Sequence, residues 1–119
     1  MNTDTNNNAA SAAEKRTYDG GVTSENINKW KALHRKVTRI DVEDEGDLHV
    51  GYFKRPSMET MAAVNKLAKT DEMKSAQTLF DGCWLGGSED LRHDAVLFTA
   101  CMGQLNVAFA RVSASLKNL

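Results

Sequence analysis

Phe80-Asp81-Gly82-Cys83-Trp84-Leu85-Gly86-Gly87-Ser88 opens the stretch that decides the fold, which runs on to Leu119. After this apolar turn come Leu97, Phe98, Cys101, Met102, Leu105, Ala108, Phe109, Val112 and Leu116. Their steps alternate among one, three and four, the spacing of a single helix face. Thr99, Gln104, Asn106, Arg111, Ser113 and Lys117 lie between them, so the opposite face is polar. The spacing predicts a long last helix starting at Ser88-Glu89-Asp90 and continuing past Leu116. Its apolar stripe needs a cover, from the rest of the chain or from a partner.

Working back from that helix, Thr70-Asp71 reads as the cap of a helix carrying Met73, Ala76, Leu79 and Phe80. Ser57, after Pro56, caps another with Met58, Met61, Ala62, Val64, Leu67 and Ala68. Gly82 and Gly86-Gly87 are expected where these helices stop. Upstream the period changes to two. Thr38, Ile40 and Val42 alternate with Arg39, Asp41 and Glu43, and Leu48, Val50 and Tyr52 with His49, Gly51 and Phe53. Asp44-Glu45-Gly46-Asp47 supplies turn chemistry between the two runs, which together predict a β-hairpin with a helix on its apolar face. Ser24 and Glu25 open a short helix anchored by Ile27, Trp30 and Leu33.

The fold class is therefore α+β: an N-terminal short helix, one β-hairpin, then a small C-terminal helical bundle with a long last helix. Trp30, Ile40, Val50, Trp84, Phe98 and Leu105 are the expected core. Residues 1–23 are rich in Asn, Thr, Ala, Ser and Gly and read as a disordered tail, leaving residues 24–119 as a single domain.

At 119 residues and 41% apolar, the chain has room for one modest core. A net charge of −1 gives no whole-chain attraction to nucleic acid or an acidic membrane. No apolar run approaches the roughly 18 residues of a membrane span. The start Met1-Asn2-Thr3-Asp4 has neither a basic nor an apolar signal-peptide region, so a cytoplasmic protein is expected. Cys83 and Cys101 are expected to be reduced and buried.

No chemical constellation stands out. Cys83, His93 and Cys101 match no zinc spacing, and Cys101 lies on the apolar stripe. His34 and His49 are isolated, at an expected helix end and an exposed strand face. Lys29, Lys31, Arg35, Lys36 and Arg39 form a basic run, but acidic residues follow at once and no aromatic interleaves, so it reads as a solvated face. Neither diglycine belongs to a phosphate loop. The reading assigns no catalytic residue, no metal ligand and no cofactor. The methionines are core filler or an adaptable binding surface.

The order of elements carries a resemblance. Ser24-Glu25-Asn26-Ile27-Asn28-Lys29-Trp30-Lys31 leads into the strands, and Val50-Gly51-Tyr52-Phe53-Lys54-Arg55-Pro56-Ser57 leads out of them. Asp81-Gly82-Cys83-Trp84-Leu85-Gly86-Gly87-Ser88 precedes the last helix. Over residues 24–119 this resembles the tail assembly chaperones of long-tailed bacteriophages and prophages. The resemblance implies a non-enzymatic factor of the bacterial host cytoplasm that binds the apolar, helical tape measure protein during tail morphogenesis. The tail tube protein is a further expected partner, and self-association is open. Nucleic acid and membrane are not expected partners. Phe109, Val112 and Leu116 are the candidate partner-binding residues. The alternative is a small virion structural or host-interaction protein from the same gene cluster.

Overall fold

The hairpin turn sets the register on which everything else packs. In the computed structural model, which describes residues 16–119, strands β2 (Val37–Asp44) and β3 (Asp47–Lys54) pair antiparallel through a two-residue turn. Glu45 and Gly46 both take positive φ, 47° and 94°, the backbone of a type I′ turn whose twist matches that of its strands. Asp44 therefore faces Asp47, and Ile40, Val42 and Thr38 fall opposite Gly51, His49 and Phe53.

That register corrects the expected faces of β3. Phe53, not Leu48, Val50 and Tyr52, joins Ile40 and Val42 in the main core. Val50 and Tyr52 are also buried, on the reverse face of the sheet. Helix α1 (Ser24–Leu33) lies on that side, where Trp30 meets Tyr52 with ring centroids 5.7 Å apart. Trp30 is half-buried, so it is a cover for the sheet and not part of the main core. Its helix starts one residue from the expected cap: Thr23 is the cap, in a reciprocal capping box with Asn26.

Two further strands complete the sheet on the free edge of β3. β1 (Arg16–Tyr18) runs parallel to Asp47–His49, and β4 (Trp84–Gly87) runs antiparallel to Gly51–Phe53. The two meet end to end where Gly20 touches Gly87 and where Gly87, at φ 138°, crosses the Val50 carbonyl. A side chain at either glycine would overlap backbone. Residues 16–23, expected within the tail, are thus structured, because β3 offers an unpaired edge and Tyr18 stacks on His49 at 4.9 Å. Residues 1–15 of the expected tail lie outside the described residues.

The helices cover the Phe53 face. α2 (Met58–Ala68) is capped by Ser57 and α3 (Glu72–Cys83) by Asp71, as expected. Ser75 donates to the Val64 carbonyl at 2.9 Å, and Gly82 abuts Thr60, so small residues seven apart bring α3 close to α2. Gly82 lies inside α3 and Gly86-Gly87 lies in β4; neither ends a helix, contrary to expectation. α4 (Asp90–His93) and α5 (Ala95–Phe109) follow.

The single expected helix from Ser88 past Leu116 is thus broken and shortened. Asp94 adopts extended backbone and accepts from the Val96 and Leu97 amides at 2.9 and 3.0 Å, which starts a new helix. At the other end Leu105 is the last fully buried residue, and every residue beyond Phe109 is exposed, so burial no longer supports the helix there. The core joins Ile40, Val42 and Phe53 to Leu79, Phe80, Cys83, Leu91, Leu97, Phe98, Cys101, Met102 and Leu105. Phe53, Phe80, Phe98 and the half-buried Trp84 form its aromatic centre, with centroids 5.1–5.4 Å apart. The architecture is α+β with a long last helix.

Candidate functional site

α5 contains no charged residue along its fifteen positions, Ala95 to Phe109. Leu97, Phe98, Cys101, Met102 and Leu105 turn inward. The outward side is weakly polar or apolar: Val96 is 75% exposed and Val107 48%, with Thr99, Ala100, Gly103 and Gln104 also exposed. An uncharged outer face is unusual for a helix at a protein surface, where charges normally face water.

A groove runs between this helix and α3. Met73, Ala76, Phe98, Met102 and Gly103 line it, with Glu72 at the rim. Met73 is 57% exposed, and a side chain added at Gly103 would meet nothing, so the groove has a flexible wall and an open floor. Such a surface suits an apolar helix laid into it, with thioethers adjusting to its shape.

The sequence placed the partner surface further along. Phe109 is half-buried against the core, whereas Val112 and Leu116 follow the end of α5 and are 62% and 92% exposed. The three do not share one helical stripe. Phe109 and Val112 line a second cleft with Lys36, Thr38, Arg55 and Arg111; Leu116 does not. The sequence does not announce the α3–α5 groove, because Thr99, Gln104 and Asn106 have the pattern of an ordinary polar face. Their lack of charge over the whole helix was the available signal.

The chemistry-bearing residues group differently from expectation. His49 is buried, not on an exposed face, and its Nδ1 lies 2.8 Å from the Ser88 hydroxyl. Asp90 Oδ2 stands 3.9 Å from the same nitrogen. A serine–histidine–carboxylate relay needs serine and acid on opposite ring nitrogens, and Ser88 is itself only 3% exposed. The pair satisfies two buried polar groups and ties β3 to the chain after β4. Cys83 and Cys101 are free and fully buried, and His93 points to Glu89 at the surface. Burial pushes the Cys83 thiol up to about 11 and the Cys101 thiol up to about 12, so neither is an activated nucleophile at neutral pH. Among the described residues, no three His, Cys, Asp or Glu side chains are grouped to hold a metal ion. No described helix is long and apolar enough to cross a membrane.

The chain matches no family profile and no curated protein. It is similar in fold to a solved structure of an uncharacterised protein, rbstp2171, from Bacillus stearothermophilus. The likeness has a TM-score of 0.51 at 21% identity and covers 76% of this chain and 99% of that one. At that identity the likeness is one of fold.

Proposed function

We propose that this protein is a non-enzymatic binding chaperone that holds an apolar helix of a larger partner, in the manner of a phage tail assembly chaperone holding its tape measure protein. The observation that carries the reading is the uncharged outer face of α5 beside the methionine-walled groove formed with α3. Exposed apolar surface of this kind has a cost in solubility and is kept where a partner covers it. A tape measure protein is long, helical and apolar, and would present the repeating side chains that a groove of this shape accepts. The order of elements in the sequence, which resembles that of tail assembly chaperones, points the same way.

Met73→Lys with Gly103→Lys tests the reading. Both positions reach solvent or open space, so the fold is expected to survive. The expected result is loss of co-purification with the co-expressed tape measure protein, with an unchanged circular dichroism spectrum. Full retention of the complex by the folded double variant overturns the assignment of this groove.

A further inference from the structure

The β2–β3 hairpin carries opposite charges at its two ends. At its open end Val37 pairs with Lys54, which places Lys36, Lys54 and Arg55 together. The segment that follows α5 brings Arg111 to the same place, so Lys36, Arg55 and Arg111 line one cleft with the half-buried Phe109 as its apolar floor and the exposed Val112 at its side. None of these three cations has a carboxylate partner among the described residues, whereas Arg39, further along β2, is paired with Asp41 at 2.7 Å. At the closed end, Asp44, Glu45 and Asp47 surround the turn, the first two exposed and the third partly so.

These two charge sets cannot neutralise each other within one molecule. Seven strand steps separate Val37 from Asp44, which at ~3.3 Å each is about 23 Å, well over twice the ~8 Å screening length at physiological salt. They are opposite in sign, Asp44, Glu45 and Asp47 at the turn and Lys36, Arg55 and Arg111 in the cleft.

We infer that this chain associates head to tail, with the acidic turn of one copy seated in the basic cleft of the next. The apolar floor removes water from the contact and strengthens the ion pairs that form over it. The contact is heterologous, because turn and cleft lie at opposite ends of the same two strands. Each joined pair therefore leaves one free turn and one free cleft, and the assembly extends along the hairpin axis. A turn in a cleft is a small interface, in the class below about 1,200 Å² that forms weak and transient complexes. Carboxylates suit the cleft better than a nucleic-acid strand. Its one aromatic ring, Phe109, is half-buried and offers no stacking platform. The inference does not depend on the α3–α5 groove.

Sedimentation velocity of the full chain tests it. In about 0.01 M salt, where screening reaches ~30 Å, the average mass is expected to rise with protein concentration; in 1 M salt, where it is ~3 Å, a single copy remains. R55E/R111E and D44K/E45K/D47K are each expected to stay monomeric in low salt. Mixed together the two reversals are expected to associate again and extend, since the reversed turn also fits the reversed cleft, whereas the neutralised pair R55Q/R111Q and D44N/E45Q/D47N is expected to double in mass and go no further. If a charge reversal fails to fold by circular dichroism, R55Q/R111Q and D44N/D47N replace it, with association at least tenfold weaker. A wild-type chain that is monomeric in low salt overturns the inference. So does association that persists in 1 M salt or in both variants, which would place the contact on the uncharged face of α5. Binding of a single-stranded oligonucleotide without self-association also overturns it.

Discussion

Gly87→Ala is the sharpest test of how the sheet is assembled. Gly87 sits at φ 138°, a conformation that residues with a Cβ rarely adopt, and its new methyl would overlap the Val50 carbonyl oxygen. Relieving that overlap means moving β4 from β3 by roughly an ångström, the distance needed to restore an ordinary contact. The Ser88 amide then loses its 2.8 Å bond to the Val50 carbonyl, and Gly20, which touches Gly87, is displaced with β1. Backbone strain of about 1–3 kcal/mol and a buried hydrogen bond worth about 1–3 kcal/mol together give a destabilisation of about 2–6 kcal/mol. Against a typical total of about 5–15 kcal/mol, much of the folded population is at stake. Urea unfolding followed by tryptophan fluorescence reads the effect, with the slope checked for an unchanged transition. Gly103→Ala is the control of opposite sign. Its Cβ meets nothing and it lies inside α5, so stability should rise by up to about 1 kcal/mol. A Gly87→Ala change below about 1 kcal/mol would refute the assigned β3–β4 junction.

Three further outcomes are expected. Trp84→Ala should cost about 3 kcal/mol, because Trp84 is half-buried yet touches Phe53 and Phe80 and carries Arg92 over its ring; chemical denaturation checks it. Deleting residues 1–23 should lower the melting temperature by several degrees, since β1 and the Tyr18–His49 stack go with it, the reverse of what a disordered tail implies. Alkaline stability should fall as pH rises from about 8.5 toward 11–12. The unfolded chain releases both thiol protons near ~8.5, while the folded chain holds them up to about 11 for Cys83 and about 12 for Cys101. The slope is at most about 1.4 kcal/mol per pH unit for each thiol. Urea midpoints across that range measure it, and Cys83→Ala with Cys101→Ala should flatten the decline.

Much of the fold was legible because its signals are local. The period-two runs around Asp44-Glu45-Gly46-Asp47 specify a hairpin, since Gly46 accepts the positive φ that the turn demands. Ser57 and Asp71 mark helix starts because their side chains satisfy the first free amides. The apolar spacing from Leu97 to Leu105 describes α5 over the turns that bury it.

What tertiary structure decided is what distant segments do to one another. β1 exists because β3 has an edge to fill, and nothing in Arg16-Thr17-Tyr18 alone announces a strand. Gly86-Gly87 could punctuate a helix or pass another backbone closely, and only the approach of β3 selected the second. His49 lies on a face that becomes internal once α4 and β1 pack there, and its hydroxyl partner is 39 positions away. Phe109, Val112 and Leu116 keep helical spacing on paper, but the helix ends where its contacts end. The basic cleft required Arg111 to come within reach of Lys36 and Arg55, a meeting of three segments that no periodicity encodes. Local backbone preferences and burial patterns are written residue by residue, while the sites made from several elements arise only when the chain closes on itself.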